Sequence, residues 1–305
     1  MAQHLRGVYA PVITPFDQSL APDAERFTAH CRWLVGHGAG LAIFGTNSEA
    51  ASLSVEERLY LTERLLEAGV PADRLMPGTG ACALSDAVTL TRHAVAQGAP
   101  GVLVLPPFFY KGVPQEGVFA YYSEIIERVG SDKLGIYLYH IPQMTQVPIT
   151  MSLIERLLKR YPHTIMGAKD SSGDWDNSRA MIEAFAPGGF AVFPASESLL
   201  TASLAIGGAG CISATVNVNP VGIRALFDGW NTPEGAKLQD QADQIRKIFQ
   251  ATPMIAAMKR TAAEHSGHAD WARVRPPLCA LDEDAAASLR SALGGVGFGM
   301  QGYPR

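Results

Sequence analysis

In the stretch 164–174 (TIMGAKDSSGD) a short apolar run ends in one cation, Lys169, and a polar, glycine-containing turn follows. Keeping an ammonium at the end of a buried strand costs desolvation energy, which pushes the amine toward its neutral form, below the ordinary lysine pKa of about 10.4. A neutral lysine is a nucleophile and the side chain that forms Schiff bases with carbonyl compounds. Taken alone, the stretch is equally compatible with a strand-end lysine snorkelling into solvent.

Three other stretches carry usable chemistry. In Gly45-Thr46-Asn47-Ser48-Glu49, the glycine lets backbone approach a ligand closely, and the amides with the Thr46 and Ser48 hydroxyls make an anion cradle near a helix start. Tyr139-His140-Ile141-Pro142 closes another apolar run, and a tyrosine at that edge can carry a proton between a substrate oxygen and water. Pro106-Pro107-Phe108-Phe109-Tyr110-Lys111 stiffens an aromatic tip with two prolines, suited to sealing a site or meeting a neighbouring subunit. Packing alone explains the tyrosine and the aromatic tip as well. Of the seven lysines, Lys133, Lys159 and Lys247 lie in polar or helical surroundings, and no other lysine is expected to compete with Lys169.

These groups need a scaffold. From Gly7 the chain alternates a short apolar run, a Gly/Pro/Ser/Thr/Asn cluster and an amphipathic stretch of helical period, the pattern of βα units. Eight runs are found, at 7–13, 40–44, 74–78, 101–105, 134–139, 164–168, 190–193 and 209–214. Ser54-Val55-Glu56-Glu57 is a capping box for a helix running to about Ala68. Ser85 or Asp86 opens the next helix, Pro114 another toward Val129, and Thr150 or Ser152 one to about Arg160. Runs that do not alternate, each followed by a helix, suit strands covered on both faces. Right-handed crossovers wind such strands into a closed (β/α)8 TIM barrel or an open doubly wound sheet, and the count of eight favours the barrel. Functional groups then sit where strands end and βα loops begin, as all four stretches above do.

After the eighth run, residues 217–220 break the chain and the remainder reads as helical. Thr252-Pro253 offers an N-cap and a proline at the first helical position, and another helix fits 282–293. The expected organisation is a catalytic barrel at 1–230 and a C-terminal helical extension at 231–305. The tail GGVGFGMQGYPR is expected to be loosely ordered.

With 47% hydrophobic residues, 18% charged residues and a net charge of -4, the composition fits small-molecule chemistry, with no basic excess for nucleic acid or lipid. Cys31, Cys82, Cys211 and Cys279 are scattered without a CxxC pair, which argues against a zinc site or disulfide framework and for a reducing cytoplasm. The first residues lack the features of a signal peptide, and no apolar run reaches the roughly 18 residues of a membrane span. The GTGA turn at Gly78 resembles a dinucleotide loop but lacks the acidic residue such loops require, and His265 and His268 have no third ligand nearby in sequence.

Taken jointly, the four stretches resemble the family of dihydrodipicolinate synthase and N-acetylneuraminate lyase, the pyruvate-dependent class I Schiff-base aldolases. The resemblance runs from about Gly7 to Pro220 and rests on ITPF, the GTxxE loop, the GTGA turn, the PxxxYKxxxQEG stretch, Tyr139-x-x-proline, GxKD at Lys169 and GCIS at Gly210, in order. It implies a (β/α)8 barrel with a C-terminal helical region, assembled as a homotetramer or homodimer. Lys169 becomes the Schiff-base nucleophile toward pyruvate or another 2-oxo acid, Tyr139 the proton carrier relayed through Thr46, and Ile212 the residue whose carbonyl faces the imine. Tyr110 matches the tyrosine that reaches a neighbouring subunit's site, with Phe109 a rival because the loop has one extra residue. Gly45, Asn47, Ser48, His140, Ser171, Ala195 and Glu197 are the remaining expected substrate contacts. The chemistry needs no metal or cofactor.

Departures narrow the substrate. Met144 stands where dihydrodipicolinate synthase has an arginine for its second substrate's carboxylate, which counts against that activity. Ala214 stands where the neuraminate lyases have a sugar-binding serine, Ser196-Glu197 keeps only part of their acidic pair, and His140 replaces the usual asparagine. What is left is a 2-keto-3-deoxy sugar acid or similar 2-oxo acid, cleaved, condensed or dehydrated. A relative that binds a 2-oxo acid without turnover is the main alternative from another class, and a phosphate- or nucleotide-dependent α/β enzyme using the Gly78 turn is a more distant one.

Overall fold

A computed structural model describes residues 4–305. In chain order, β1 (Gly7–Ala10), α1 (Ala24–Gly36), β2 (Gly40–Leu41), α2 (Val55–Glu67) and α3 (Leu84–Ala96) come first. Then follow β3 (Val102–Val104), α4 (Gln115–Val129), β4 (Ile136–His140), α5 (Pro142–Thr145), α6 (Met151–Arg160), β5 (Ile165–Asp170) and α7 (Trp175–Phe185). The series ends with β6 (Ala191–Pro194), α8 (Leu200–Ala205), β7 (Gly210–Ile212), α9 (Pro220–Gly229), α10 (Gly235–Gln250), α11 (Met254–Ser266) and α12 (Glu283–Gly295). Seven of the eight apolar runs contain a strand. The run at 74–78 forms isolated bridges at Leu75 and Gly78, the latter parallel to Leu103, rather than a strand, and Pro77 between them lacks a ladder donor.

The chain separates into two compact units, one of residues up to Gly7 and 72–212, the other of residues 8–71 and 213–305. In the first, β3, β4, β5 and β6 form a parallel four-stranded sheet in sequence order. The pattern continues beyond β6, since Ala209 N–H donates to Val192 O and Gly7 N–H to Ala209 O, and beyond β3, where Thr79 N–H donates to Leu103 O and Leu103 N–H to Pro77 O. Gly167 in β5 is a packing requirement: a Cβ there would lie 2.1 Å from Ala191 O and 2.8 Å from the Tyr137 ring. The bare glycine lets Tyr137 lie across the strand, one step below the level of Lys169, because residues two apart share a strand face. The Gly78 turn is also explained by packing, for a Cβ on Gly80 would sit 2.3 Å from Leu105 N.

In the second unit β1 pairs with β2, Tyr9 opposite Gly40 and Ala10 opposite Leu41. The capping box forms as expected, with Glu57 N–H donating to Ser54 Oγ at 3.2 Å and Ser54 N–H to Glu57 Oε2 at 2.9 Å. The proline expected at the first position of α11 instead occupies its N-cap, with the helix starting one residue later. No described helix is long and apolar enough to cross a membrane.

The expectation of a loose tail is overturned. Met300 and Tyr303 are buried, the Tyr303 hydroxyl lies 3.1 Å from His30 Nδ1, and Trp33 Nε1–H donates to Gln301 O. Three large side chains, Phe298, Met300 and Tyr303, give this glycine-rich segment enough apolar area to dock; Phe298 packs edge-on against Phe249 and His265.

Candidate active site

Register brings the two leading residues together. In the β4–β5 ladder Tyr139 stands opposite Lys169, and His140 opposite Asp170. Lys169 Nζ lies 3.1 Å from the Tyr139 hydroxyl and 4.2 Å from the centre of its ring. Both residues are almost fully buried, at 2% and 3% exposure, so the snorkelling alternative for Lys169 fails.

The backbone beneath this pair is held from the opposite strand face. Asp170 accepts hydrogen bonds from Ser178 Oγ, Asn177 Nδ2 and Ser172 N–H at 2.7, 2.9 and 2.9 Å. Asp174 then caps α7 through Asp176 N–H. The ladder also runs past the strand ends, Ser171 N–H donating to His140 O and Ala195 N–H to Asp170 O. The turn that follows Lys169 is therefore tied to both neighbouring strands, and the lysine Cα cannot drift.

His140, adjacent to Tyr139 in β4, points the other way, as successive strand residues do. Its Nδ1 accepts from Ile149 N–H at 3.0 Å, so the neutral ring carries its proton on Nε2. Burial lowers its pKa, opposed by the Asp170 carboxylate. Ser171 Oγ is buried with no hydrogen-bond partner, the kind of orphan donor that calls for an explanation such as a ligand oxygen. Glu197 is fully buried just after β6, Ala195 is half-buried, and Ile212 closes β7 out of solvent. The aromatic tip does not join this group. Phe109 and Tyr110 stack edge to face with each other at 73% and 72% exposure, while Lys111 Nζ ties their loop to the carbonyls of Phe108 and Thr145.

In the second unit the 45–49 loop forms a tight turn. Gly45 N–H donates to Ser48 Oγ and Ser48 N–H to Gly45 O, both at 3.1 Å, while Thr14 Oγ1 donates to Ser48 O. Thr46 and Asn47 keep partial exposure at the crest. Phe44 and Glu49, at either end, take left-handed φ values of 61° and 55°. Such conformations are costly for side chains with a Cβ and concentrate at functional sites.

Sequence reasoning missed Lys259. It lies inside α11, fully buried, with Nζ 2.6 Å from Glu49 Oε1, itself out of solvent. Burial lowers its pKa to about 8 against the opposing pull of the Glu49 carboxylate. Its environment in sequence, MIAAMKRTAAEHS, looks like an ordinary amphipathic helix. The absence of acidic neighbours one turn away was the only available signal. Among the described residues no group of three or more acidic, His or Cys side chains is arranged to hold a metal ion.

Residues 4–295 match the model of the dihydrodipicolinate synthetase family. A DapA-like lyase of Chloroflexus aurantiacus is 33% identical over 290 residues, covering 94% of this chain and 95% of that one. A 4-hydroxy-tetrahydrodipicolinate synthase of a Synechococcus species is 32% identical over 291 residues, covering 94% and 93%. Among solved structures, dihydrodipicolinate synthase from Agrobacterium tumefaciens aligns with a TM-score of 0.87 at 27% identity, over 95% of this chain and 99% of that one. YagE, a prophage protein of E. coli K12 crystallised in complex with pyruvate, aligns at 0.87 and 26%, over 96% and 99%. The fold class is thus a (β/α)8 barrel with a C-terminal helical region.

Proposed function

The chain belongs to the dihydrodipicolinate synthetase family of pyruvate-dependent lyases, and from that premise we propose that Lys169 forms an imine with a 2-oxo acid of the 2-keto-3-deoxy sugar acid type. The observation that carries the reading is the buried contact of Lys169 Nζ with the Tyr139 hydroxyl at 3.1 Å. A buried amine beside a phenol has a nucleophile and a proton carrier within one hydrogen bond.

In this reading the free amine attacks the keto carbon and water leaves, giving a protonated imine. The imine takes up the electron pair released when the bond between carbons 3 and 4 breaks, so an aldehyde departs and an enamine remains. Dehydration uses the same sink after loss of a proton from carbon 3, with hydroxide expelled from carbon 4 as water. After cleavage the enamine is protonated at carbon 3, after dehydration an unsaturated imine is left, and in either case hydrolysis of the imine releases the keto acid and regenerates the amine. Tyr139, relayed through Thr46, moves the protons. Thr46 and Asn47 take the keto acid's carboxylate, with Gly45 and Ser48 shaping the turn, and Ile212 presents its carbonyl to the imine. Ser171, Ala195 and Glu197 are assigned to the side bearing the sugar hydroxyls; the contact expected of His140 is withdrawn, because its ring faces away from Lys169 and Tyr139 and its Nδ1 is taken by Ile149 N–H. The exposed Phe109 and Tyr110 are assigned to contact with a second copy in a homotetramer or homodimer, Tyr110 entering the neighbouring site. Light scattering of the purified protein tests that assembly.

Two departures support the substrate class. Met144 is 61% exposed and offers no charge to a second carboxylate, whereas relatives named 4-hydroxy-tetrahydrodipicolinate synthase keep condensation with aspartate semialdehyde as the second reading. Ala214 is buried without a hydroxyl for sialic acid. Incubation with pyruvate and borohydride is expected to add one pyruvyl increment at Lys169, read by peptide mass spectrometry. Unmodified protein sinks the mechanism. A panel of 2-keto-3-deoxy sugar acids assayed by pyruvate release is expected to give turnover where aspartate semialdehyde plus pyruvate gives none; trapping without turnover on any of them would mark a binding protein.

A further inference from the structure

We propose that the buried Glu49–Lys259 ion pair is a positioning device for the carboxylate cradle at 45–48, through which the C-terminal helical region sets the affinity of the site for its keto acid. The inference rests on the role assigned above to Thr46 and Asn47.

Glu49 directly follows the cradle in a left-handed conformation, and its N–H donates to Thr46 O at 3.1 Å. Its carboxylate is held at both oxygens from the C-terminal region: Oε1 by Lys259 Nζ at 2.6 Å, Oε2 by Arg275 N–H at 2.8 Å. The Lys259 ammonium and the Arg275 guanidinium also lie 4.3 and 4.7 Å from the centre of the Phe16 ring. The Arg275 side chain extends the clamp, donating to Ser52 O at 2.6 Å and pairing with Glu57 in the first turn of α2. A turn with two left-handed non-glycine residues is not self-supporting; something must hold it. A fully desolvated carboxylate can do so, because any relaxation of Glu49 strands one or both buried charges. Among the described residues the other ion pairs of α11, Arg260 with Glu264 and Glu283 and Glu264 with Arg290, are partly exposed and link helical residues only.

The double variant Glu49→Gln/Lys259→Met removes both charges, so neither is left buried alone, and retains an oxygen for Arg275 N–H. Its pyruvate dependence is read by borohydride trapping at Lys169, with folding followed by circular dichroism and Arg260→Ala as control. The half-saturating pyruvate concentration is expected to rise about tenfold, the scale of a cradle displaced by a fraction of an ångström. The extent of trapping at saturation and kcat should stay within twofold, and the control should match the parent. A folded double variant with a parental half-saturating concentration overturns the proposal while leaving the lysine chemistry intact. Absence of trapping in the parent overturns both. Should the double variant not fold, Lys259→Arg, which keeps the charges but alters the donor geometry, is expected to raise the same concentration at least about threefold; an unchanged value overturns the proposal.

Discussion

Lys169 and Tyr139 meet because they occupy the same register position on neighbouring parallel strands, each near the strand's C-terminal end. Tyr139→Phe removes a hydroxyl but almost no volume, so β4 and β5 keep their packing. Turnover on the preferred keto acid is expected to fall by about 10² to 10⁴, the usual range for one positioned proton carrier, with pyruvate still trapped at Lys169. Unchanged turnover would remove Tyr139 from the mechanism. Lys169 was legible in the sequence because one cation closes an apolar run. Lys259 was not, because its burial depends on Glu49, which lies 210 residues away.

At the level of the elements, β5 depends on Gly167. Gly167→Ala would drive a Cβ to 2.1 Å from Ala191 O, and backbone cannot yield as a flexible side chain can. A loss of about 1–3 kcal/mol or more is expected, read as a lower urea midpoint. An unchanged midpoint would show that β5 and β6 tolerate separation. The helix starts were readable where a side chain caps the helix: Ser54, Thr150 and Asp282 each accept a backbone N–H from the first turn. The run at 74–78 shows the limit, since apolar character identified the segment but not how many ladder bonds it could make.

At the level of the whole molecule, the docked tail makes the second unit acid-sensitive. His30 is completely buried, its Nε2 3.1 Å from Asn217 Oδ1 and its Nδ1 3.1 Å from the Tyr303 hydroxyl. Asn217 Nδ2 donates to Pro11 O and Ala214 O, so its Oδ1 faces the ring and receives the imidazole proton. Desolvation, partly offset by the Asn217 hydrogen bond, lowers the His30 pKa from 6.5 to about 4. The unfolded chain therefore takes up a proton below pH 6.5 that the folded protein refuses until about pH 4. Stability from the neutral ring is complete above pH 6.5 and declines toward pH 4, by about 3 kcal/mol in total. Chemical denaturation at intervals across that window checks this, and His30→Gln is expected to flatten the slope. An equal slope in parent and variant would assign the acid sensitivity elsewhere.

Apolar periodicity, capping residues and the strand-end positions of Lys169 and Tyr139 determined the (β/α)8 class, the placement of seven strands and several helix starts, and singled out the two side chains that register brings together. These are local properties: a strand or a cap is specified by neighbours a few residues away. Tertiary structure alone decided that Phe109 and Tyr110 stand in solvent, that the glycine-rich tail docks on His30, and that Glu49 is gripped by Lys259 and Arg275. Those outcomes depend on which distant groups share a desolvated space, and the free energy of a buried charge or ring is set by that company, which no window of sequence contains.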